Sequence, residues 1–476
     1  MLARGCLFAL LLLAACDEST DDGTGGGGAG PAQAVHLGEV VSEGGEGVAE
    51  LRVDAPGTLT VHLDGQARIV EVDGVGAESM RFLDGSVIVD PEGEPYDGGA
   101  WLRPRPIEVE TVELEITGQG TVDLSIWVRG EPAPAVVRER GLFWTQPAIV
   151  DDAYVVGLAR VLGAASDDGH GGALLDQWLH RFATTLHSER AGPAQLADEF
   201  NAVFGSPSAW DLDALPFVVT GVHNRLDLAA RQSACGELRV SIASTHAVYA
   251  PFHMLFLFEQ APREDDIGPG GTVHCLGTAR RWARLSALDE GAFFVAAREI
   301  LDETIAPDRF LLAETVELTV SPWEWRQWTR EDAEVFDNPA LFQTVDVTRL
   351  NQPGASRDSF LAFVADNAQA LDARAMEIPA TFRSASARVP PSAPAERLSL
   401  EGLDAGVLST YPDLAEAIEI VGCPTCHTSN VEFVQTSIER EASPFYDLEL
   451  DARGERLDRL NLGVIEPVPP FGPLQD

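Results

Sequence analysis

The segment Cys423-Pro424-Thr425-Cys426-His427 has the residue types and spacing that specify a chemistry most clearly in this 476-residue chain. Two thiols separated by two residues can form thioether bonds with the two vinyl groups of a haem, and the adjoining imidazole can then bind the iron. The motif therefore predicts one covalently attached haem c. In this interpretation Cys423 and Cys426 hold the porphyrin, and His427 is the proximal iron ligand.

Three other interpretations of the motif stay open. A thioredoxin-like dithiol needs a large part of its fold after the motif, and the chain ends soon after it, at Asp476. A structural zinc site normally has four protein ligands, and no second Cys/His pair lies nearby in the sequence. The third interpretation is a short-loop disulfide between Cys423 and Cys426, beside a histidine with no special role.

A haem at this position would take its second axial ligand from upstream or leave the iron five-coordinate, because no Met or His follows His427. Met376 is the leading upstream candidate, although the usual role of a methionine is to fill an irregular apolar gap. The weaker candidates are His246, His253 and Met254, which flank a strand-like run, and His170, His180 and His187. Since few residues follow the motif, we expect a bound haem to lie against the middle of the chain.

The N-terminal residues have the features of an export signal. Arg4 gives a short positive start, and the apolar run that follows is too short to span a bilayer. Leu13-Ala14-Ala15-Cys16 then resembles the lipobox of bacterial lipoproteins, in which the cysteine is lipidated and becomes the mature N-terminus. We expect a signal peptide over residues 1–15 and a lipid anchor on Cys16, with a flexible tether over residues 16–34. The folded part would lie in the bacterial cell envelope, anchored to a membrane and facing the periplasm or the exterior.

The composition excludes several classes of protein. The formal net charge is −42, from 75 acidic and 33 basic residues, and every basic residue is an arginine. Without lysine there can be no P-loop phosphate site, no Schiff-base enzyme and no Ser-Lys hydrolase. The negative balance disfavours nucleic acid as a partner and favours a basic redox or binding partner.

Two further cysteines, Cys235 and Cys275, are expected to pair with each other. An export signal implies an oxidising compartment, where disulfides form and persist. The pair is separated by 40 residues. In the chain-entropy model a loop of that length gives about 4 kcal/mol of stabilisation.

The remaining chain divides into segments of different pattern. Short alternating strands between Gly, Asp and Pro turns predict an antiparallel β-sandwich over residues 35–131. Mixed helical and strand-like patterns predict an α+β domain over residues 141–388, which contains the disulfide. A linker over residues 389–410 leads to a short CxxCH segment over residues 411–476. The predicted fold class is therefore α+β with several domains.

Three stretches of the middle domain form a pattern together with the C-terminal CxxCH. They are Asn224-Arg225-Leu226-Asp227-Leu228, Cys235-Gly236-Glu237-Leu238-Arg239 and Phe256-Leu257-Phe258-Glu259. This pattern resembles that of a group of uncharacterised exported bacterial proteins, over the chain from about Leu142 to the C-terminus. The resemblance implies export and this domain layout, and it implies no reaction.

Five polar residues of these stretches stand between strand-like runs: Asn224, Arg225, Asp227, Glu237 and Arg239. They would either line a site or form an arginine–carboxylate network that fixes the loops around the disulfide, and we favour the network. The sequence contains no HExxH, GxSxG or EF-hand motif, so no catalytic signature supports an enzyme.

Two functional hypotheses follow from the sequence. The first is a membrane-anchored extracytoplasmic lipoprotein with a single c-type haem, active in electron transfer or redox sensing. The alternative is a non-enzymatic surface lipoprotein for binding or scaffolding, in which the CxxC forms a structural disulfide.

Overall fold

The fold comes from a computed structural model, which describes residues 33–465 apart from several internal segments. Those segments are 37–45, 64–67, 85–86, 89–91, 108, 131–133, 185–190, 232–233, 248–251, 318–322, 332–334, 338–344, 374, 377, 384–387, 390–396, 421–435 and 442–443. The predicted signal peptide, Cys16, most of the tether and the CxxCH motif lie outside the described residues.

The N-terminal part of the chain forms one seven-stranded sheet, antiparallel except for its first pair. Its strands are β1 Gln33–His36, β2 Glu46–His62, β3 Arg68–Asp84, β4 Val87–Ile88, β5 Glu94–Tyr96, β6 Gly99–Ile107 and β7 Thr111–Arg129, in the spatial order β1-β2-β7-β3-β6-β5 with β4 beside β3. The long strands β2, β3 and β7 each pass through a register shift near the middle. Such bulges bend strands, so the sheet curls and both halves of each long strand enter one apolar core.

The antiparallel strands predicted for this part are confirmed. The finer prediction of a two-sheet sandwich is not confirmed, because hydrogen bonds join all seven strands into one sheet. β7 shows the difference most clearly, since the glycines that suggested a turn lie inside one continuous strand. Gly118 and Gly120 have φ angles of 155° and 84°, which residues with a side chain rarely adopt.

The middle domain is built on an eight-stranded antiparallel sheet. Its strands are β8 Phe143–Trp144, β9 Phe217–Arg225, β10 Glu237–Ser244, β11 Phe252–Glu259, β12 Phe310–Glu317, β13 Trp323–Glu331, β14 Val335–Asp337 and β15 Arg388–Val389, in the spatial order β14-β13-β12-β11-β10-β9-β8 with β15 beside β13. Sequential strands therefore pair with their neighbours over most of the sheet. The antiparallel sheets and the helices confirm the α+β class.

Helices precede, cover and follow this sheet. The α-helices are α1 Arg138–Gly141, α2 Pro147–Val150, α3 Ala153–Val156, α4 Leu158–Ala165, α5 Gly172–Thr184, α6 Gly192–Phe204, α7 Leu276–Arg284, α8 Glu290–Thr304, α9 Val347–Leu350, α10 Ala355–Asp372, α11 Ala405–Thr410, α12 Leu414–Ile420 and α13 Pro444–Leu460. Short 3-10 helices are Pro207–Ala209, Leu212–Ala214, Leu226–Arg231, Glu264–Asp266, Pro269–Gly271, Leu285–Ala287, Pro307–Arg309 and Ala380–Phe382. Within the described residues, no helix combines the length and the apolar character that a membrane crossing requires.

The main core lies between one face of the eight-stranded sheet and the helices α4 to α8. The helical spacing in the sequence places Leu175, Trp178 and Phe182 on the buried side of α5. Trp178 stacks on Trp328 of β13 with ring centroids 5.9 Å apart. Large aromatic side chains therefore join the helical layer to the sheet.

The predicted disulfide is confirmed. Cys235 and Cys275 are bonded, with their Cα atoms 5.4 Å apart, and both are buried. Cys235 lies just before β10 and Cys275 just before α7. The bond therefore joins the start of a central strand to a covering helix.

Residues 345–420 contribute a third, mainly helical core, which we call the helical unit. Phe360 and Val364 of α10 pack there with Ile418 of α12. Leu398 and Leu400, within the segment that the sequence suggested as a linker, are buried in the same core. The last described segment, residues 436–465, returns to the middle domain, where Leu450 and Leu457 enter the main core.

Candidate functional site

The two faces of the eight-stranded sheet differ in chemistry. In antiparallel strands, directly paired residues share a face and successive residues alternate between faces. One face is apolar and enters the main core, with Val222, Val240, Phe256, Ala313 and Trp328 in one row across the strands. The opposite face, which we call the polar face, carries His223, Arg225, Glu237, Arg239, Ser241, His253, Glu314 and Gln327.

Two ion pairs lie at one end of the polar face, where β9 ends and β10 begins. Arg225 binds Asp227 with two N···O distances of 3.0 Å, and Arg239 donates to one oxygen of Glu237 at 2.8 and 2.7 Å. Burial raises the pKa of Asp227, but the nearby guanidinium groups of Arg225 and Arg453 outweigh burial and hold that pKa below its usual value. The structure thus brings four of the five polar residues from the sequence pattern together.

The fifth residue, Asn224, lies on the opposite side of β9 and has a structural environment. Its side-chain nitrogen donates to the carbonyl of Gly141 at 2.9 Å, and its oxygen accepts from the Gln260 side chain at 3.0 Å. Gln260 in turn accepts from the Trp282 indole at 2.8 Å. Asn224 therefore stabilises the junction of α1, β9 and α7 and does not face the polar groups.

A histidine–serine pair lies beside the ion pairs. The Nε2 atom of His223 is 2.9 Å from the Oγ atom of Ser241 on the next strand. Burial lowers the pKa of His223, and the positive charges of Arg453, Arg239 and Arg225 lower it further. The imidazole is therefore neutral at physiological pH, with one nitrogen as a donor and the other as an acceptor.

The chain that follows the CxxCH motif packs against this face. The hydroxyl of Thr436 donates to the hydroxyl of Thr220 at 3.1 Å, and both residues are buried. Gly221 permits this approach, because a Cβ there would come within 3.0 Å of Thr436 Oγ1 and 3.1 Å of His223 Nε2. Further along, Arg453 of α13 is fully buried, and its positive charge lowers the pKa of both Asp227 and His223. The C-terminal segment therefore completes the charged end of the polar face.

The other end of the polar face is more open. Leu255 and Leu312 are half-buried on β11 and β12, and Glu314 lies beside them. Burial raises the pKa of Glu314 to about 7. The charge of Arg239 and the hydrogen bond from Gln327 lower this pKa, whereas the charge of Glu237 raises it. Glu314 can therefore gain or lose a proton near neutral pH. This end of the face therefore has a carboxyl group that can hold a proton beside two half-buried apolar side chains.

The remaining candidates from the sequence lie in different places. Met376 packs, half-buried, against the core of the helical unit, away from the polar face. His253 is on the polar face and 5% exposed; burial lowers its pKa to about 4. The described residues also contain no group of three or more His, Cys, Asp or Glu that could hold a metal ion.

Comparisons of the chain with protein families, with curated proteins and with solved structures found no match. A function for the chain is therefore inferred from the CxxCH motif and from the geometry of the polar face.

Four residues of the polar face were not anticipated as site residues: His223, Ser241, Glu314 and Gln327. Arg453 of α13, whose charge acts on this face, was not anticipated either. A signal for two of them is present in the sequence, because polar residues alternate as His223 and Arg225 on β9 and as Glu237, Arg239 and Ser241 on β10. That period indicates a second, polar sheet face. Arg453 gives no local signal, since it reaches the site from a distant helix.

Proposed function

We propose that the protein is a lipid-anchored extracytoplasmic lipoprotein that carries one c-type haem and takes part in electron transfer or redox sensing. The lipid on Cys16 would tether it to a membrane, and the curled N-terminal sheet would act as a spacer. The middle domain and the helical unit would form the body against which the haem is held. A bound haem supplies one-electron redox chemistry, which the side chains of the chain do not provide themselves.

The observation that carries this proposal is that the chain is anchored on both sides of the CxxCH motif. Before the motif, Ile418 of α12 is buried in the helical unit. After it, Thr436 is buried against Thr220 of β9. The described residues that flank the motif thus belong to the helical unit on one side and contact the middle domain on the other, which supports a haem held between the two.

Residues of the helical unit and of the middle domain have suitable chemistry for a haem. Met376 packs in the same core as Ile418, so the thioether proposed as the distal ligand belongs to the unit that leads into the motif. On the other side, the arginines of the polar face offer partners for propionate carboxylates. His427 would bind the iron, while Cys423 and Cys426 would hold the porphyrin.

Haem staining tests this proposal. The full chain is produced with a c-haem maturation system, denatured, and stained for haem-dependent peroxidase activity at its own mass. We expect a stained band that is absent in Cys423→Ala/Cys426→Ala and present in a matched Cys235→Ala/Cys275→Ala variant. An unstained wild-type band contradicts the haem proposal. If the haem is present, Met376→Ala should change its absorption spectrum without loss of the stain.

The lipid anchor has a separate test. Replacement Cys16→Ser should move the protein from the membrane fraction to the soluble fraction and abolish labelling with a radioactive fatty acid. Retention in the membrane fraction without label would contradict the anchor.

A second candidate function is a non-enzymatic binding lipoprotein whose Cys423 and Cys426 form a disulfide. The observation that favours it is the more open end of the polar face, where the half-buried Leu255, Leu312 and Glu314 lie together. In that case the denatured chain would carry no stain, and reduction would raise its mass by two hydrogens for each of two disulfides.

A further inference from the structure

We infer that the curled sheet is latched to the middle domain in one fixed orientation, because Trp101 of β6 packs against Gly268 and His274 of the middle domain. We call Gly268 and His274 the seat of this latch. Domains of one chain ordinarily move relative to each other unless a well-packed interface holds them. Neither the haem nor the lipid anchor is needed for the latch, which consists of described residues of the two units.

Trp101 is buried on the side of the curled sheet that faces away from the sheet's own core. Its neighbours Ala100 and Leu102 enter that core, and successive residues of a strand point to opposite faces. Trp101 is nevertheless only 1% exposed, although it is not part of the core. The middle domain covers the indole, since Gly268 and His274 lie against it.

The closest approach between the two units is at Gly268. A Cβ atom on Gly268 would come within 2.7 and 2.8 Å of the indole atoms Cη2 and Cε2 of Trp101. The backbone angles of Gly268, φ −86° and ψ −176°, are ones that any residue can adopt. Glycine is thus needed at this position because the indole is there, and not because of the backbone conformation.

His274 forms the other part of the seat. It is 2% exposed, and its ring centroid lies 5.9 Å from that of Trp101. Burial lowers the pKa of His274 to about 3, with smaller contributions from the charges of Arg129 and Arg103. The imidazole is therefore neutral at physiological pH and can pack close to these arginines without repulsion. Because His274 directly precedes Cys275, the disulfide braces the loop that forms the seat.

Polar contacts on the sheet side hold the indole in place. The Nε1 atom of Trp101 donates to Oε1 of Glu71 at 3.0 Å, and Arg129 donates to Oε2 of the same carboxylate at 2.8 Å. Glu71 is only 4% exposed, so water has little access to these bonds. The indole therefore meets the seat in a fixed orientation.

Two further contacts restrict movement at the joint between the units. Gly463, just after α13, lies against Pro104 of β6, and a Cβ atom there would come within 3.0 Å of the Pro104 Cβ. Beyond the joint, the backbone N–H of Val136 donates to Asp458 of α13 at 2.9 Å. The units are thus in contact at Trp101 and at Pro104, and the chain between them is tied at Val136.

The latch makes the curled sheet and the middle domain one rigid body. Any partner that binds the curled sheet would then meet the middle domain in a constant position. With the lipid anchor proposed on Cys16, the tether would hold a single body at the membrane and not two that move separately. This last consequence rests on the proposed function, whereas the latch does not.

Limited trypsin digestion of the full-length protein, read out by intact mass, tests the latch. The chain has no lysine, so trypsin cuts only after arginine, and a cut after Arg129 separates the two units. Gly268→Val places a side chain where the indole lies, and Trp101→Ala removes the indole from the other unit. We expect either change to speed the cut after Arg129 about tenfold or more, because that side chain is 14% exposed while the units are docked. Hydrogen exchange in β7 and β10 should stay slow, since each unit keeps its own apolar core.

Gly291→Val in α8 is the matched control for Gly268→Val, because a Cβ atom there would lie at an ordinary distance of 3.6 Å from Oδ1 of Asp289. A fast cut in both latch variants, with a slow cut in wild type and control and slow exchange in β7 and β10, supports the latch. If Gly268→Val unfolds the middle domain, fast exchange in β10 shows it, and Trp101→Ala then decides alone. A wild-type chain cut as fast as Trp101→Ala overturns the latch. Neither haem staining nor fatty-acid labelling enters this test, so its failure leaves the proposed function untouched.

Discussion

The curled N-terminal sheet and the eight-stranded sheet bury charge in different ways. The curled sheet has an apolar core, and ion pairs such as Arg52–Asp123 lie on its surface. Its buried carboxylate Glu71 lies on the outer side, bonded to Arg129 and Trp101 where the sheet meets the middle domain. The eight-stranded sheet instead keeps one apolar face for its core and covers the charged end of its other face with the C-terminal segment.

This difference indicates where function lies in the molecule. Surface ion pairs contribute little to stability and can be exchanged freely. Buried charges are costly to keep, and clusters of them occur at functional sites. This difference supports the proposal that the polar face takes part in function and that the curled sheet acts as a spacer.

Removal of the disulfide should have the largest effect on stability, and it should destabilise the eight-stranded sheet without destabilising the curled sheet. Cys235→Ala/Cys275→Ala opens a crosslink between residues 40 apart and should destabilise the middle domain by about 4 kcal/mol. The curled sheet has no cysteine between residues 46 and 129, so its own unfolding transition should stay in place. Urea unfolding followed by hydrogen exchange resolves the two regions. Equal loss in both would show that they unfold as one unit.

Disruption of a buried ion pair should have the next largest effect. Arg225→Ala leaves Asp227 buried beside the remaining arginines, and we expect a loss of about 3 kcal/mol in the middle domain. The matched change in the curled sheet is Arg52→Ala, which breaks an exposed pair and should leave unfolding unchanged. If both variants behave alike in urea unfolding, the contrast between the sheets is wrong.

The titration of Glu314 should make the stability of the middle domain depend on pH. Its folded pKa is about 7, above the ordinary 4.5, so the folded state holds its proton more tightly than the unfolded state does. Stability that depends on this group is present below pH 4.5 and falls as the pH rises through 7. Glu314→Gln should remove that fall and make the protein more stable at pH 8 by about 1–3 kcal/mol. If the free energies of unfolding of wild type and Glu314→Gln change in parallel between pH 5 and 8, Glu314 does not cause the predicted fall in stability.

The contact between Thr436 and Thr220 should have the smallest effect. Thr436→Val removes one buried hydrogen bond and should cost about 1 kcal/mol, with a coupling to Thr220→Val in a double-mutant cycle. Thr121→Val in the curled sheet removes an exposed contact with Asp54 and should have no measurable effect. Additive losses from the two buried threonines would mean that they do not interact.

Much of the fold could be predicted from local patterns in the sequence. Alternation along residues 112–128 predicted strands, helical spacing predicted the buried side of α5, and the compartment predicted the disulfide. The single curled sheet could not be predicted, because Gly118 and Gly120 suit a turn and a bent strand equally well.

The candidate site was only partly predictable, for a similar reason. Arg225, Asp227, Glu237 and Arg239 are near one another in sequence, so their pairing is local. Glu314 and Arg453 join them through strand order and through the return of the C-terminal helix, which are long-range features without a local signal. The same topology brings the chain after the CxxCH motif to the polar face.

The most direct test of the central claim is the intact mass of the denatured full-length protein after production with a c-haem maturation system. We expect the mass of the processed chain plus one haem, and the loss of this addition in Cys423→Ala/Cys426→Ala. A wild-type chain that carries no haem, and instead gains two hydrogens at Cys423 and Cys426 on reduction, would contradict it.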